Sequence, residues 1–194
     1  MKKRFSTNKF KRFSVILVLI ILPRVVAADE LILTFGGGNQ PNSEQENKTA
    51  GLDINFFEYR RSDRQTINIG LSYTQLKTNF DTGRKLWAIS IYPQLTLFPS
   101  EDSWLSNLAL KATTPYFFVR ALGPTYLNNN TLGDREQSRN FTFQAQVGLG
   151  VLFKTKSSKE NFLFLSWKHF SNANLFSEND GFDFPVVIGF GLKF

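Results

Sequence analysis

Apolar and polar side chains alternate in long runs along most of this chain. In residues 65–73, Ile67, Ile69, Leu71 and Tyr73 share one parity, while Thr66, Asn68, Gly70 and Ser72 share the other. Residues 141–151 repeat the pattern, with Phe141, Phe143, Ala145, Val147, Leu149 and Val151 against Thr142, Gln144, Gln146, Gly148 and Gly150. A period of two predicts strands with unlike faces. Residues 86–92 alternate more weakly, with Leu86, Ala88, Ser90 and Tyr92 against Trp87, Ile89 and Ile91. In the last stretch Phe184, Val186, Ile188, Phe190, Leu192 and Phe194 oppose Pro185, Val187, Gly189, Gly191 and Lys193.

Strand character predicts eight spans: 29–37, 50–60, 64–76, 84–97, 108–123, 138–153, 161–170 and 184–194. Most reach the roughly 9–11 residues that cross a hydrocarbon layer at a steep tilt, whereas strands of soluble proteins run nearer 5–6. Lipid outside and a small polar interior demand this alternation, and the small residues on the polar face suit a narrow barrel. The expected fold is all-β, an eight-stranded antiparallel transmembrane β-barrel of the outer membrane. A soluble sandwich would leave the long apolar faces uncovered. With both termini in the periplasm, the links 38–49, 77–83, 124–137 and 171–183 face outside the cell. The turns 61–63, 98–107 and 154–160 face the periplasm. "NQPNSEQENKT" and "YLNNNTLGDREQS" read as polar loops with no role beyond solvation.

Composition and charge narrow the function. "MKKRFSTNKFKRF" is basic without an acid, "SVILVLIIL" is apolar and "PRVVAA" ends in small residues, so residues 1–28 read as a secretory signal cut after Ala28. That segment holds seven of the 23 Lys and Arg, leaving 16 against 16 acids in the remainder. The net charge of +7 therefore belongs to the targeting segment and implies no nucleic-acid partner. Absence of cysteine removes disulfides and thiol chemistry, and a single histidine excludes a multi-histidine zinc site. No metal or cofactor is expected.

The one histidine lies in "WKHFSNANLFSENDGFDF", residues 167–184. An ammonium facing hydrocarbon costs several kcal/mol, so Lys168 and Ser166 are expected inward. Trp167, His169 and Ser171 then face lipid near the outer rim, with Trp167 as an interface anchor. Residues i and i+2 of a strand stand about 6.6–6.8 Å apart at Cα, so His169 can lean toward the Ser171 hydroxyl as a base does toward a nucleophile. Asp183 opens the partner strand and is the candidate third member. Asn172, Asn174 and Asn179 supply amide donors for an oxyanion. Taken alone, these residues read first as a polar strand end and an Asn-rich turn around Gly181, since His-x-Ser is too common to count as a motif. The corresponding alternative is a non-enzymatic small barrel with a structural, adhesion or lipid-binding role.

"HFSNANLFSENDGFDF" resembles the signature of the PagL-type lipid A 3-O-deacylases: His, an aromatic, Ser-Asn-Ala, then Asn-x-Gly and an acid two positions later. The resemblance implies an outer-membrane barrel hydrolase that removes the acyl chain ester-linked at the 3-position of lipid A. It implies His169 as base, Ser171 as nucleophile and Asp183 as the acid, with Asn172, Asn174, Asn179 and Gly181 as oxyanion or loop support. The chain departs from the pattern in carrying aspartate where familiar members have glutamate, roughly 1.5 Å less reach. It also has Asn174 where the family tends to a small residue. Strict parity from Phe194 would send Asp183 inward, so a break before Pro185 is required if it is to join His169. Lys168, Lys77, Arg84 and Lys85 are candidates for the phosphate heads of the lipid A substrate. The number of associated copies stays open, a homodimer included.

Overall fold

The computed structural model describes residues 29–81, 83–100, 102–103, 113–154 and 159–194. The expected signal, residues 1–28, lies outside the described residues. The strands are β1 (Glu30–Asn39), β2 (Glu46–Ser62), β3 (Gln65–Thr78), β4 (Lys85–Leu97), β5 (Thr113–Leu127), β6 (Thr131–Leu132), β7 (Arg135–Glu136), β8 (Phe141–Lys154), β9 (Glu160–Ser171) and β10 (Phe182–Lys193). Eight of them close into a barrel in the ring order β1-β10-β9-β8-β5-β4-β3-β2, every pairing antiparallel. The short β6–β7 hairpin rises from the link between β5 and β8.

The faces are those of a protein dissolved in lipid. Leu33, Phe35, Tyr73, Ile91, Leu165 and Ile188 are exposed, while Thr34, Asp53, Ser72, Thr74, Gln146 and Lys168 are buried in the interior. Only a closed sheet satisfies every backbone group in hydrocarbon without leaving an edge. The interior is layered. Phe162, Phe164, Tyr116, Phe118 and Ile32 fill the lower end. Phe164 and Phe162 lie over Gly189 and Gly191, where a β-carbon would overlap their rings. Above them Arg120 pairs with Asp53, and Lys168 Nζ donates to Thr74 Oγ1 at 3.1 Å. Leu76, Leu86, Leu127, Phe170, Phe182 and Phe184 close the upper end, and the β6–β7 hairpin adds Leu132 to that cluster.

Three expectations need correction. Phe184 is fully buried rather than lipid-facing. Register explains it: Phe184 pairs with Lys168 but Val187 pairs with Ser166, so β10 carries one extra residue between them, a β-bulge at Pro185 and Val186. From Val186 onward the expected outward set of Val186, Ile188, Phe190, Leu192 and Phe194 holds. Second, β5 runs past Gly123-Pro124 to Leu127: a bulge at Ala121 and Leu122, where Leu122 takes a positive φ of 52°, shifts the register, and pairing with β8 resumes from Gly123 through Tyr126. Residues 108–112 of the expected fifth strand lie outside the described residues. Third, β2 begins at Glu46: backbone pairing with β1 and β3 carries a polar segment that hydropathy marks as loop.

Candidate active site

β9 sends alternate residues to opposite sides. Leu163, Leu165 and Trp167 are exposed on the outer wall and His169 is partly exposed there, while Phe164, Ser166, Lys168 and Phe170 are buried inside. Ser171 ends the strand on the outward parity, opposite Phe143 of β8. Across the other edge Asp183 is the direct partner of His169. Phe182 and Phe184, both anchored in the upper interior cluster, flank it. Their inward commitment turns Asp183 outward, and the bulge at Pro185 and Val186 reconciles this with the opposite parity of the rest of β10. The break that Asp183 requires is therefore present.

His169 Nδ1 lies 2.9 Å from Asp183 Oδ1. With Nδ1 engaged by a carboxylate, the favoured tautomer carries its proton there and leaves Nε2 as an acceptor. The indole of Trp167 stacks on the imidazole, with ring centroids 5.2 Å apart and planes 19° from parallel. Its Nε1 donates to the same Asp183 Oδ1 at 3.1 Å. Trp167 is thus more than the interface anchor expected from sequence. Gly181 closes the imidazole from the loop side: a β-carbon there would overlap His169 Cε1. The expected turn chemistry at Gly181 is not what the backbone shows, since its φ is not positive; close approach of the ring is what requires glycine. Among the described residues Ser171 Oγ makes no hydrogen bond, so the serine–histidine leg is open in the free protein, as such contacts often are before substrate binds.

The asparagines hold the loop. Asn179 Oδ1 accepts the backbone N–H of Asn172 at 2.8 Å, and Asn179 Nδ2 donates to Asn174 Oδ1 at 2.7 Å. Asn172 is buried and its Nδ2 donates to the Glu178 carbonyl. Donors of Asn172 and Asn179 are therefore spent within the loop. Ala173 and Asn174 both adopt left-handed backbone, φ 55° and 60°, which asparagine tolerates better than most residues. Their backbone N–H groups have no partner among the described residues and follow Ser171 by two and three positions.

Segments that sequence assigns to solvation build the support for Asp183. Gln40, which follows β1, donates from Nε2 to Asp183 Oδ2 at 3.1 Å and to the Gly181 carbonyl at 2.9 Å. Its Oε1 accepts the Asp183 backbone N–H at 2.9 Å. Asn47 donates to Gln40 Oε1 and to the Asp183 carbonyl, and Gln45 donates to Asn47 Oδ1. All three are buried. The link between β5 and β8 likewise props the 172–181 loop: Ser138 N–H donates to the Glu178 carbonyl, and Gln137 bridges Asn179. Gln45 and Asn47 carry the inward parity of Thr49 and Asp53, so extending the β2 pattern backward would have found them. Gln40 has no comparable local signal. Lys168, a candidate for substrate phosphates, is sealed inside the barrel and reaches no lipid. Lys77 and Lys85 stand on β3 and β4, on another part of the wall.

A crystal structure of the outer membrane enzyme PagL superposes with a TM-score of 0.59 at 14% identity, covering 85% of this chain and 99% of that one. That of Neisserial surface protein A gives 0.51 at 13% identity over 85% and 95% of the two chains. At such identity the likeness speaks for the shared barrel fold. No curated protein matches the sequence. The family model for lipid A 3-O-deacylase (PagL) matches residues 50–189, a span that holds the His169–Asp183 pair, Ser171 and the loop between them. With that match over most of its length, the chain belongs to the lipid A 3-O-deacylase (PagL) family.

Proposed function

We propose that this outer-membrane barrel is a serine hydrolase that releases the ester-linked 3-hydroxyacyl chain from the 3-position of lipid A in the outer leaflet. The observation that carries the reading is the 2.9 Å contact of His169 Nδ1 with Asp183 on the outer wall, with Ser171 two residues further along the same face. An ester embedded in the leaflet meets this wall directly, whereas the interior is filled by side chains.

In the proposed reaction Asp183 accepts the hydrogen bond of His169 Nδ1–H and stabilises the imidazolium as it forms. His169 Nε2 takes the Ser171 hydroxyl proton while Oγ attacks the acyl carbonyl carbon. The N–H groups of Ala173 and Asn174 are the available donors for the resulting oxyanion. Collapse breaks the bond to the sugar oxygen, which receives the proton from His169 Nε2. Water, deprotonated by the same nitrogen, then cleaves the acyl-serine, releasing the hydroxy fatty acid and restoring the Ser171 hydroxyl. No step calls for a metal or cofactor. The stacked Trp167 ring favours the charged imidazolium through its π face.

The test is the mass spectrum of lipid A from cells producing the protein. One 3-hydroxyacyl unit should be missing, with fragmentation locating the loss at the 3-position. Ser171→Ala, with barrel folding checked by heat-modifiable gel mobility, should restore the full mass. Persisting loss in that variant removes Ser171 as nucleophile.

A further inference from the structure

The upper ends of β2, β3 and β4 carry Lys48, Lys77 and Lys85 at outward, exposed positions. Register sets Lys48 directly opposite Lys77, and Lys77 directly opposite Lys85. Three lysines thus form one row of backbone positions across three neighbouring strands, about 10 Å long at the usual strand spacing. Like charges directly opposite one another destabilise a sheet. Lys48 has an acid, Glu46 at 3.3 Å on its own strand, and that pair is exposed. Among the described residues Lys77 and Lys85 form no ion pair. Within the protein the row is electrostatically unfavourable, so an external anion would stabilise it.

The next outward residues below fix its level in the membrane. Trp87 lies two residues down β4 from Lys85, with Tyr73 6.4 Å and Tyr126 5.8 Å away between ring centroids. An outward cluster of tyrosine and tryptophan marks the membrane–water interface. The lysines, one pleat above it, stand among headgroups, with Leu52, Ile89 and Ile91 continuing the apolar wall below. In the ring β3 is four strands from β9 in either direction. The row therefore lies on the wall opposite His169, and does not serve the lipid whose ester is presented to Ser171.

We propose that Lys48, Lys77 and Lys85 form a second, non-catalytic lipid site that takes the phosphates of a phosphorylated glycolipid of the outer leaflet, its acyl chains lying on the wall beneath. The length of the row fits a headgroup with two separated phosphates better than the single phosphodiester of a phospholipid. The row itself does not involve Ser171; the expected count of two rests on the hydrolase reading, because the other lipid is the one held at the His169 wall.

Native mass spectrometry of the detergent-solubilised full chain, with bisphosphorylated lipid A and its dephosphorylated counterpart as probes, counts the occupied sites. The wild type should retain two bisphosphorylated lipids and at most one dephosphorylated lipid. The triple variant Lys48→Gln, Lys77→Gln, Lys85→Gln should lose one bound lipid, with affinity for that lipid falling about fivefold per lysine. Its barrel fold and lipid A deacylation should be unchanged. The triple arginine variant should keep both lipids. Inorganic phosphate at equal concentration should displace neither. A lipid count that is the same on the wild type and the glutamine variant, equal retention of the dephosphorylated probe, or displacement by inorganic phosphate overturns the proposal. So does an unchanged lipid count accompanied by a dimer-to-monomer shift, which would assign the row to a second copy of the chain.

Discussion

Two aspartates on opposite sides of the barrel wall show how similar pairs serve different ends. Asp53 faces the interior, where it pairs with Arg120 and accepts the Ser72 hydroxyl, with Arg120 also bound to Gln94 and Gln146. Every group in that cluster is buried, so no substrate reaches it. Asp183 faces outward and is held almost as fully, by Gln40, Trp167 and His169. Its basic partner differs from Arg120 in one respect: the imidazole keeps a second nitrogen directed away from the carboxylate. A guanidinium stays protonated and saturates its site, whereas an imidazole can pass a proton on. A hydrogen-bonded carboxylate is common to both; a partly exposed partner with a spare acceptor on the face that carries Ser171 is peculiar to the outer one.

The contrast breaks most severely at Asp183. Asp183→Asn should keep the geometry but favour the wrong tautomer, lowering kcat by about a thousand- to ten-thousandfold, as read by lipid A deacylation in detergent. Asp183→Glu should retain more activity than the asparagine variant, because the charge survives. Arg120→Leu should do the reverse: it leaves Asp53 buried without its cation, costing about 3–5 kcal/mol of stability. That loss should be visible as unfolding at lower urea in heat-modifiable gels, with unchanged activity per folded molecule. Gln40→Leu sharpens the comparison. Removal of a hydrogen bond to the charged carboxylate should cost about tenfold or more in kcat, and nothing further in an Asp183→Asn background, since the glutamine acts through that group. Trp167→Phe, which keeps a stacked ring and removes one donor, should show the smallest loss, about threefold to tenfold.

Much of the wall that carries His169 is legible without coordinates. Lys168 and Ser166 fix the parity of β9, and that parity alone sends Trp167, His169 and Ser171 to the lipid side. The spacing of His169 and Ser171 puts them on one face of any strand. The role of Gly181 is not legible, because a glycine in an Asn-rich loop reads as a turn until the imidazole is seen against it. Gln40 is also illegible: it stands 143 residues from Asp183, and closure of the ring between β1 and β10 is what joins them. The lysine row is intermediate. Each lysine is visible near a strand end, but their alignment depends on cross-strand register.

Eight strands, the lipid-facing set of most of them and the level of His169 near the outer rim follow from the chain's alternation, whereas the facing of Phe184 and the bounds of β2 and β5 do not. Period-two alternation between two unlike solvents, hydrocarbon and a packed polar interior, leaves little freedom there. Tertiary structure alone decided that Asp183 meets His169. A bulge is an excess of one residue relative to a partner strand, so it is defined only by the pairing. Anchoring of Phe182 and Phe184 in the closed interior places that excess after Asp183, and so turns the carboxylate toward the imidazole.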